Sequence, residues 1–165
     1  MGRMKHTAAI LIASDRADRG ERPDKTGPVL KERLIQIGYS VAYVTVVPDD
    51  LSRIESILRD WVNNEKIPLI LTSGGTGLSP GDVTPEATSK VIDRRIPGIE
   101  EAMRRESSKI TSFGMLSRSV AGVAARSLII NLPGKPDGAL ENLKIVEPIL
   151  DHALELIRGG NPHPE

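Results

Sequence analysis

IPLILTSGGTGLSPGDVTPEAT, residues 67–88, carries the pattern on which the fold reading turns. Its first six residues are short and apolar and read as a buried strand centred on residues 69–71. Its last five read as a helix start: Thr84 as a capping hydroxyl, Pro85 in the first turn, and Glu86 against the positive end of the helix dipole. Between them Gly74, Gly75 and Gly77 fall within four positions, and Asp82 follows. Strand, glycine loop and helix in that order form one unit of an α/β fold.

The flanking sequence repeats the alternation. Upstream, residues 7–13 (TAAILIA) read as a buried strand, 14–25 as a polar loop, and 26–37 as a helix capped by Thr26 and ended by Gly38. Residues 40–47 (SVAYVTVV) are rich in β-branched side chains and read as a second strand. After the turn PDD at 48–50, Leu51, Ile54, Ile57, Leu58, Trp61 and Val62 recur at helical spacing. Downstream, the helix from Thr84 is expected to reach Asp93, and a second to run from Pro97 to about Ser107. Residues 108–126 show no single period. SLIINLPG at 127–134 reads as a strand ending in a turn, and a last helix starts near Pro136, with a bend expected at Pro148. The expected architecture is a three-layer α/β/α fold with a mainly parallel sheet, one domain over residues 1–160 and a loose tail at 161–165. Ligands of such sheets bind beyond the carboxyl ends of the strands. Ser14, Asp15, Asp49, Asp82 and Asn131 are expected to gather there.

Composition narrows the function classes. The chain has 165 residues, with 22 Lys+Arg against 22 Asp+Glu and no cysteine, which excludes disulfides, thiolate metal sites and a cysteine nucleophile. Zero net charge and 2% aromatic content argue against nucleic-acid binding. The N-terminal apolar run meets Asp15 and Arg16 without a small-residue cleavage site, so it is expected to be a strand rather than a leader. No run is long enough to span a membrane, and a cytoplasmic location is expected. His6, His152 and His163 lie apart in sequence and suggest no metal site. Arg94, Arg95, Arg104 and Arg105 read as solvated helix charges. Arg118 and Arg126 fit either phosphates or helix ends.

The glycine loop is no Walker A motif, because no GK[ST] occurs in the chain. Nor is it a dinucleotide fingerprint: Gly75, Gly77 and Gly81 have one residue too many between the second and third. Capping and turn chemistry explain part of it. Three crowded glycines exceed what a turn requires and would let backbone N–H groups converge on an anion. Asp82 beside such a cradle makes sense if a divalent cation bridges them. Asp49 and Asp50 are ambiguous in the same way, since one of the two suffices to cap the helix at Leu51.

TSGGTGLSPGDVTPEAT, with VVPDD at 46–50, ESSKITSFGMLSRSVAG at 106–122 and NLPGKP at 131–136, resembles the molybdopterin adenylyltransferase family, which includes Mog-type enzymes and the gephyrin G domain. The resemblance covers nearly the whole chain. It implies a molybdopterin-binding-domain-like fold and transfer of AMP from ATP to the molybdopterin phosphate with release of pyrophosphate. It implies that Asp49 and Asp82 are the two catalytic aspartates, also carrying Mg²⁺. Gly74, Gly75 and Thr76 match the phosphate loop, and Ser107 and Ser117 match positions linked to the pterin. Asn131, Pro133 and Gly134 match a turn near the nucleotide, and Ser14 and Asp15 match the end of the first strand. It further implies a homotrimer and a partner enzyme that inserts molybdate. One position departs: Gly81 stands where the family often has arginine, which removes a possible phosphate contact. Two other classes compete with the enzyme reading. One is a non-catalytic molybdopterin carrier or trimeric scaffold, against which the retained pair of acids argues. The other is a nucleotide-binding domain with a different substrate.

Overall fold

The computed structural model describes residues 5–161, so most of the tail expected at 161–165, with His163, lies outside the described residues. Six strands form one sheet: β1 (Thr7–Ala13), β2 (Ser40–Val47), β3 (Leu69–Ser73), β4 (Arg94–Arg95), β5 (Ala121–Ala124) and β6 (Ser127–Leu132). Six helices accompany them: α1 (Asp15–Asp18), α2 (Thr26–Gln36), α3 (Leu51–Asn63), α4 (Thr84–Val91), α5 (Pro97–Ile110) and α6 (Pro136–Ile157). The spatial order is β2-β1-β3-β6-β5-β4; the first four strands are parallel and the β4–β5–β6 edge is antiparallel.

Side-chain alternation divides the core into two layers. Ala8, Ile10 and Ile12 of β1, with Leu69, Leu71, Leu128 and Ile130, pack on one face against Leu30 and Leu34 of α2, Met103 of α5 and Leu143 and Leu150 of α6. Ala9 and Leu11, with Ile70 and Ile129, pack on the other face against Ile54, Leu58 and Trp61 of α3 and Ala87 of α4. Strands covered on both faces read as near-continuous apolar runs, which is why β1 and β3 stood out in the sequence. Trp61 belongs to this core and stacks on Tyr43 of β2, with ring centroids 5.8 Å apart.

The connections place the functional rim. From β1 the chain passes through α2 to β2 on one side, then through α3 to β3 on the other side of β1. The strand order therefore reverses between β1 and β3, and the crevice beyond their carboxyl ends is where such sheets bind ligands.

Several local expectations change. Residues 14–25 are not all loop: Ser14 Oγ accepts from Ala17 N at 3.2 Å and starts the short helix α1. Thr26 does not cap α2. Asp24 Oδ1 accepts from Thr26 N (2.9 Å) and Gly27 N (3.0 Å), which frees the Thr26 hydroxyl to donate to the Gly134 carbonyl at 2.8 Å. α4 ends at Val91, so Arg94 and Arg95 form a short strand against β5 and not helix charges. Residues 108–126 resolve into the end of α5, a 3-10 turn at Ser112–Leu116 and β5. The last helix starts at Pro136 as expected and contains the exposed Pro148 within its span.

Asp50 settles one of the two aspartate ambiguities. Its Oδ1 accepts from Arg53 N at 2.7 Å, so Asp50 caps α3 and leaves Asp49 for another task. Asp50→Ala is expected to lower stability by about 1 kcal/mol, read as a lower urea midpoint at unchanged slope.

Candidate active site at the switch point

A cavity of about 380 Å³ opens beyond the ends of β1 and β3. It is lined by Ser14, Asp49, Gly74, Gly75, Thr76, Gly77 and Asp82, and on its other side by Arg22, Asp24, Lys25, Gly134 and Lys135. Each lining segment leaves the carboxyl end of a strand or enters the start of a helix, so the fold alone brings together residues 60 or more positions apart in the chain.

The first two glycines of the loop are fixed by geometry. Gly74 has φ +93°, and a Cβ there would stand 2.3 Å from the Ala13 carbonyl oxygen. Gly75 has φ +67°, and its Cβ would stand 2.4 Å from Thr84 Oγ1 and 3.3 Å from Asp49 Oδ1. Both positions need glycine because the left-handed region strains any residue with a Cβ, and here the space is also filled. The N–H of Gly74 donates to the Leu132 carbonyl (3.1 Å). The N–H groups of Gly75, Thr76 and Gly77 donate to no carbonyl of the described chain, which leaves three donors at the cavity wall for an anion.

Asp49 is placed by a reciprocal exchange. Its backbone N–H donates to Asp15 Oδ1 (2.9 Å), and its own Oδ2 accepts from Asp15 N (3.1 Å). Asp15 therefore holds Asp49 and does not itself line the cavity. Burial pushes the Asp49 carboxyl above its usual range; the hydrogen bond from Asp15 opposes this, while the charges of Asp15 and Asp82 add to it. Asp82 Oδ2 accepts from Ser79 N at 2.9 Å, and a Cβ on Gly77 would stand 2.8 Å from it.

Arg118 fastens the loop, a role that no local pattern announces. Its Nε donates to the Gly77 carbonyl (2.8 Å), one terminal nitrogen donates to the Asp82 carbonyl (2.7 Å), and the other pairs with Glu86. Its backbone N–H donates to the Thr76 carbonyl (2.9 Å). One residue thus ties both ends of the 76–82 segment to the chain around Ser117.

A second cavity of about 830 Å³ lies beyond that segment and is more apolar, with Leu78, Ile110, Phe113 and Leu116 on its rim. Ser107, Ser117 and Pro133 line it, so the structure brings the two serines together. The Ser107 hydroxyl meets Asn142, and the Ser117 hydroxyl lies 3.0 Å from that of Ser119. Thr76, Gly77, Gly134 and Lys135 line both cavities and form the wall between them.

Two expectations fail here. Asn131 is not on the rim. It is fully buried, donates to Thr72 Oγ1 (2.8 Å) and Thr88 Oγ1 (2.9 Å), and accepts from Val120 N (3.1 Å), so its amide crosslinks the sheet to α4. Thr84 is the first residue of α4 and not its cap; its hydroxyl is buried against Gly75 without a hydrogen-bond partner among the described residues. Also among the described residues, no three His, Asp or Glu side chains cluster as a metal centre, and no helix is long and apolar enough to cross a membrane.

Comparison with known proteins points the same way. The profile of a family described as "Probable molybdopterin binding domain" matches residues 9–152. The molybdopterin adenylyltransferase of Helicobacter pylori is 40% identical over 153 residues, covering 92% of this chain and 87% of that protein. Gephyrin of Dictyostelium discoideum is 42% identical over 158 residues, which are 90% of this chain but only 22% of gephyrin. The solved structure of the molybdopterin biosynthesis enzyme MoaB of Thermus thermophilus superposes with a TM-score of 0.89 at 47% identity, covering 93% of this chain and 97% of that one.

The raised carboxyl of Asp49 has a stability consequence of definite sign. Between its unfolded and folded pKa values the folded chain holds the extra proton, so stability falls as pH rises through that window. Ionised Asp49 therefore destabilises the fold at neutral pH. Asp49→Asn is expected to melt at a higher temperature than wild type at pH 7, with the gain shrinking in acid. Thermal melts of both proteins across pH check this.

Proposed function

The chain belongs to the molybdopterin-binding-domain family that its sequence matches over residues 9–152, and from that premise we propose that it is a molybdopterin adenylyltransferase. It transfers AMP from ATP to the terminal phosphate of molybdopterin and releases pyrophosphate. The observation that carries this reading is the pair of cavities that share one wall. The smaller has free backbone donors and two carboxylates, which suits a polyphosphate. The larger has an apolar rim and two hydroxyls, which suits a pterin. Both volumes fall in the roughly 300–1,000 Å³ range of small-molecule sites.

The phosphate oxygen of molybdopterin is anionic at neutral pH and needs no strong base. It attacks the α-phosphorus of ATP, a new P–O bond forms, and the bond to the β-phosphate breaks with its electron pair leaving on pyrophosphate. Catalysis is then mainly positioning and charge neutralisation. In this reading the N–H groups of Gly75, Thr76 and Gly77 hold phosphate oxygens, and Gly74 and Ser14 shape the wall. Ser107 and Ser117 hold the pterin, while Pro133 and Gly134 close the wall between the substrates. Asp15 and Asn131 act indirectly, the first by holding Asp49 and the second by holding the strand ends. Asp49 and Asp82 fit Mg²⁺, an ion that takes one or two carboxylates and completes its shell with substrate phosphates and water. Mg²⁺ would neutralise charge on the leaving pyrophosphate. Retention of both acids favours an enzyme over a carrier or scaffold.

We extend the reading to one domain, because the same sheet organises both core layers. Self-association finds support in an apolar groove between α5 and α6, where Ile149 and Leu156 are exposed, and the family resemblance makes the assembly a homotrimer.

The test is pyrophosphate release from ATP and Mg²⁺, with and without molybdopterin. Wild type is expected to release pyrophosphate only with molybdopterin, and Asp82→Asn to slow release about 100-fold while still binding molybdopterin. Tight molybdopterin binding with no release would identify a carrier.

A further inference from the structure

Joining two phosphates requires two anions to approach each other, and the charge between them must be met at the point of approach. The loop supplies no cation of its own, since residues 74–82 (GGTGLSPGD) include no lysine or arginine. Arg22 and Lys25 line only the smaller cavity. Arg104 lines only the larger one and is already engaged by the carbonyls of Ser117 (3.2 Å) and Ser119 (3.1 Å) and by buried Glu100 (3.7 Å). Arg118 is spent on the loop carbonyls and Glu86. Among the described residues Lys135 is the one cation that lines both cavities.

The setting of Lys135 suits a mobile charge on a fixed base. Its backbone follows the turn at Gly134, whose carbonyl is held by Thr26. A Cβ on Gly134 would stand 3.3 Å from Gly74 Cα, so this turn packs directly on the glycine loop. Lys135 occupies the N-cap position of α6 without a side-chain capping bond, and its ammonium makes no ion pair among the described residues. A four-carbon stem with three rotatable donors can follow charge as it moves from the attacking oxygen to the transferred phosphoryl group.

Resting on the adenylyltransferase reading, we propose that Lys135 is a catalytic residue of this chain, bridging the α-phosphate of ATP and the phosphate of molybdopterin at the junction of the two cavities. In the balanced step above it gains and loses no proton; it neutralises the two phosphates while the bond between them forms.

The test compares wild type, Lys135→Met and Lys135→Arg in molybdopterin-dependent pyrophosphate release. Binding of a non-hydrolysable ATP analogue alone and of molybdopterin alone is measured in parallel. Lys135→Met is expected to keep the melting temperature of wild type and each separate affinity within about fivefold, yet to lower kcat about 100-fold. Lys135→Arg is expected to recover most of the lost rate, because the charge survives. Unchanged turnover in Lys135→Met overturns the proposal. So does a loss confined to the KM for ATP, which would make Lys135 a ground-state nucleotide contact, and so does failure of the arginine variant to recover rate. If wild type itself releases no pyrophosphate, the adenylyltransferase reading fails first and the role of Lys135 falls with it.

Discussion

The contact on which the site depends is the approach of Gly74 to the Ala13 carbonyl, closer than any side chain permits. It brings the carboxyl end of β3 against that of β1, where the strand order reverses. From there the chain must leave in a left-handed conformation at two successive residues, Gly74 and Gly75. The N–H groups of Gly75, Thr76 and Gly77 make no backbone hydrogen bond among the described residues, and those residues line the cavity. The same path leaves room for Asp49 and Thr84 beside Gly75 and for the turn at Gly134 above Gly74. A strain-tolerant backbone at one strand end thus organises acids, donors and a lysine drawn from four separate segments.

Long-range polar bonds hold that arrangement. Asn131 joins β6, β3 and α4 beneath the floor of the site. The Ser73 hydroxyl donates to the Pro133 carbonyl at 2.7 Å, and Thr26 donates to Gly134, so the turn after β6 is tied to both β3 and α2. Arg118 performs the same service on the outer side of the loop. Each such bond is worth only about 1 kcal/mol net, but losing one leaves a partner unsatisfied in or near the interior, which costs more. The site is therefore held in shape before any substrate arrives, as a mechanism built on positioning requires.

What the sequence disclosed and what it hid divide along physical lines. The alternation of strands and helices was legible, because β1, β3 and β6 are covered on both faces and α3 carries an apolar stripe. The glycines at 74, 75 and 77 and the acids at 49 and 82 were legible as a group through their spacing. Caps were read less well. Thr26 and Thr84 have the right residue type in the right place, yet one hydroxyl is drawn to a carbonyl 108 positions away and the other is buried against Gly75. Asn131 looked like a rim residue because it ends a strand, but its amide points into the layer between sheet and helix. β5 was hidden because four small or β-branched residues carry no period and form a strand only by pairing with β6. Arg118 was legible only as a charge for a phosphate or a helix end, and its grip on the loop carbonyls, like the position of Lys135 between the cavities, comes from distant parts of the chain.

The stacked pair Tyr43 and Trp61 has a practical meaning of its own. Trp61 is the sole tryptophan in the chain, and it sits near the far end of α3 from the capped N-terminus beside Asp49. Eleven helical steps separate Asp50 from Trp61, a span of about 16 Å. Indole emission from this protein therefore reports whether α3 is still seated on β2, and is poorly placed to sense whether either cavity is filled. Native fluorescence can follow unfolding of that layer with little interference from substrates, while binding calls for an optical reporter placed elsewhere.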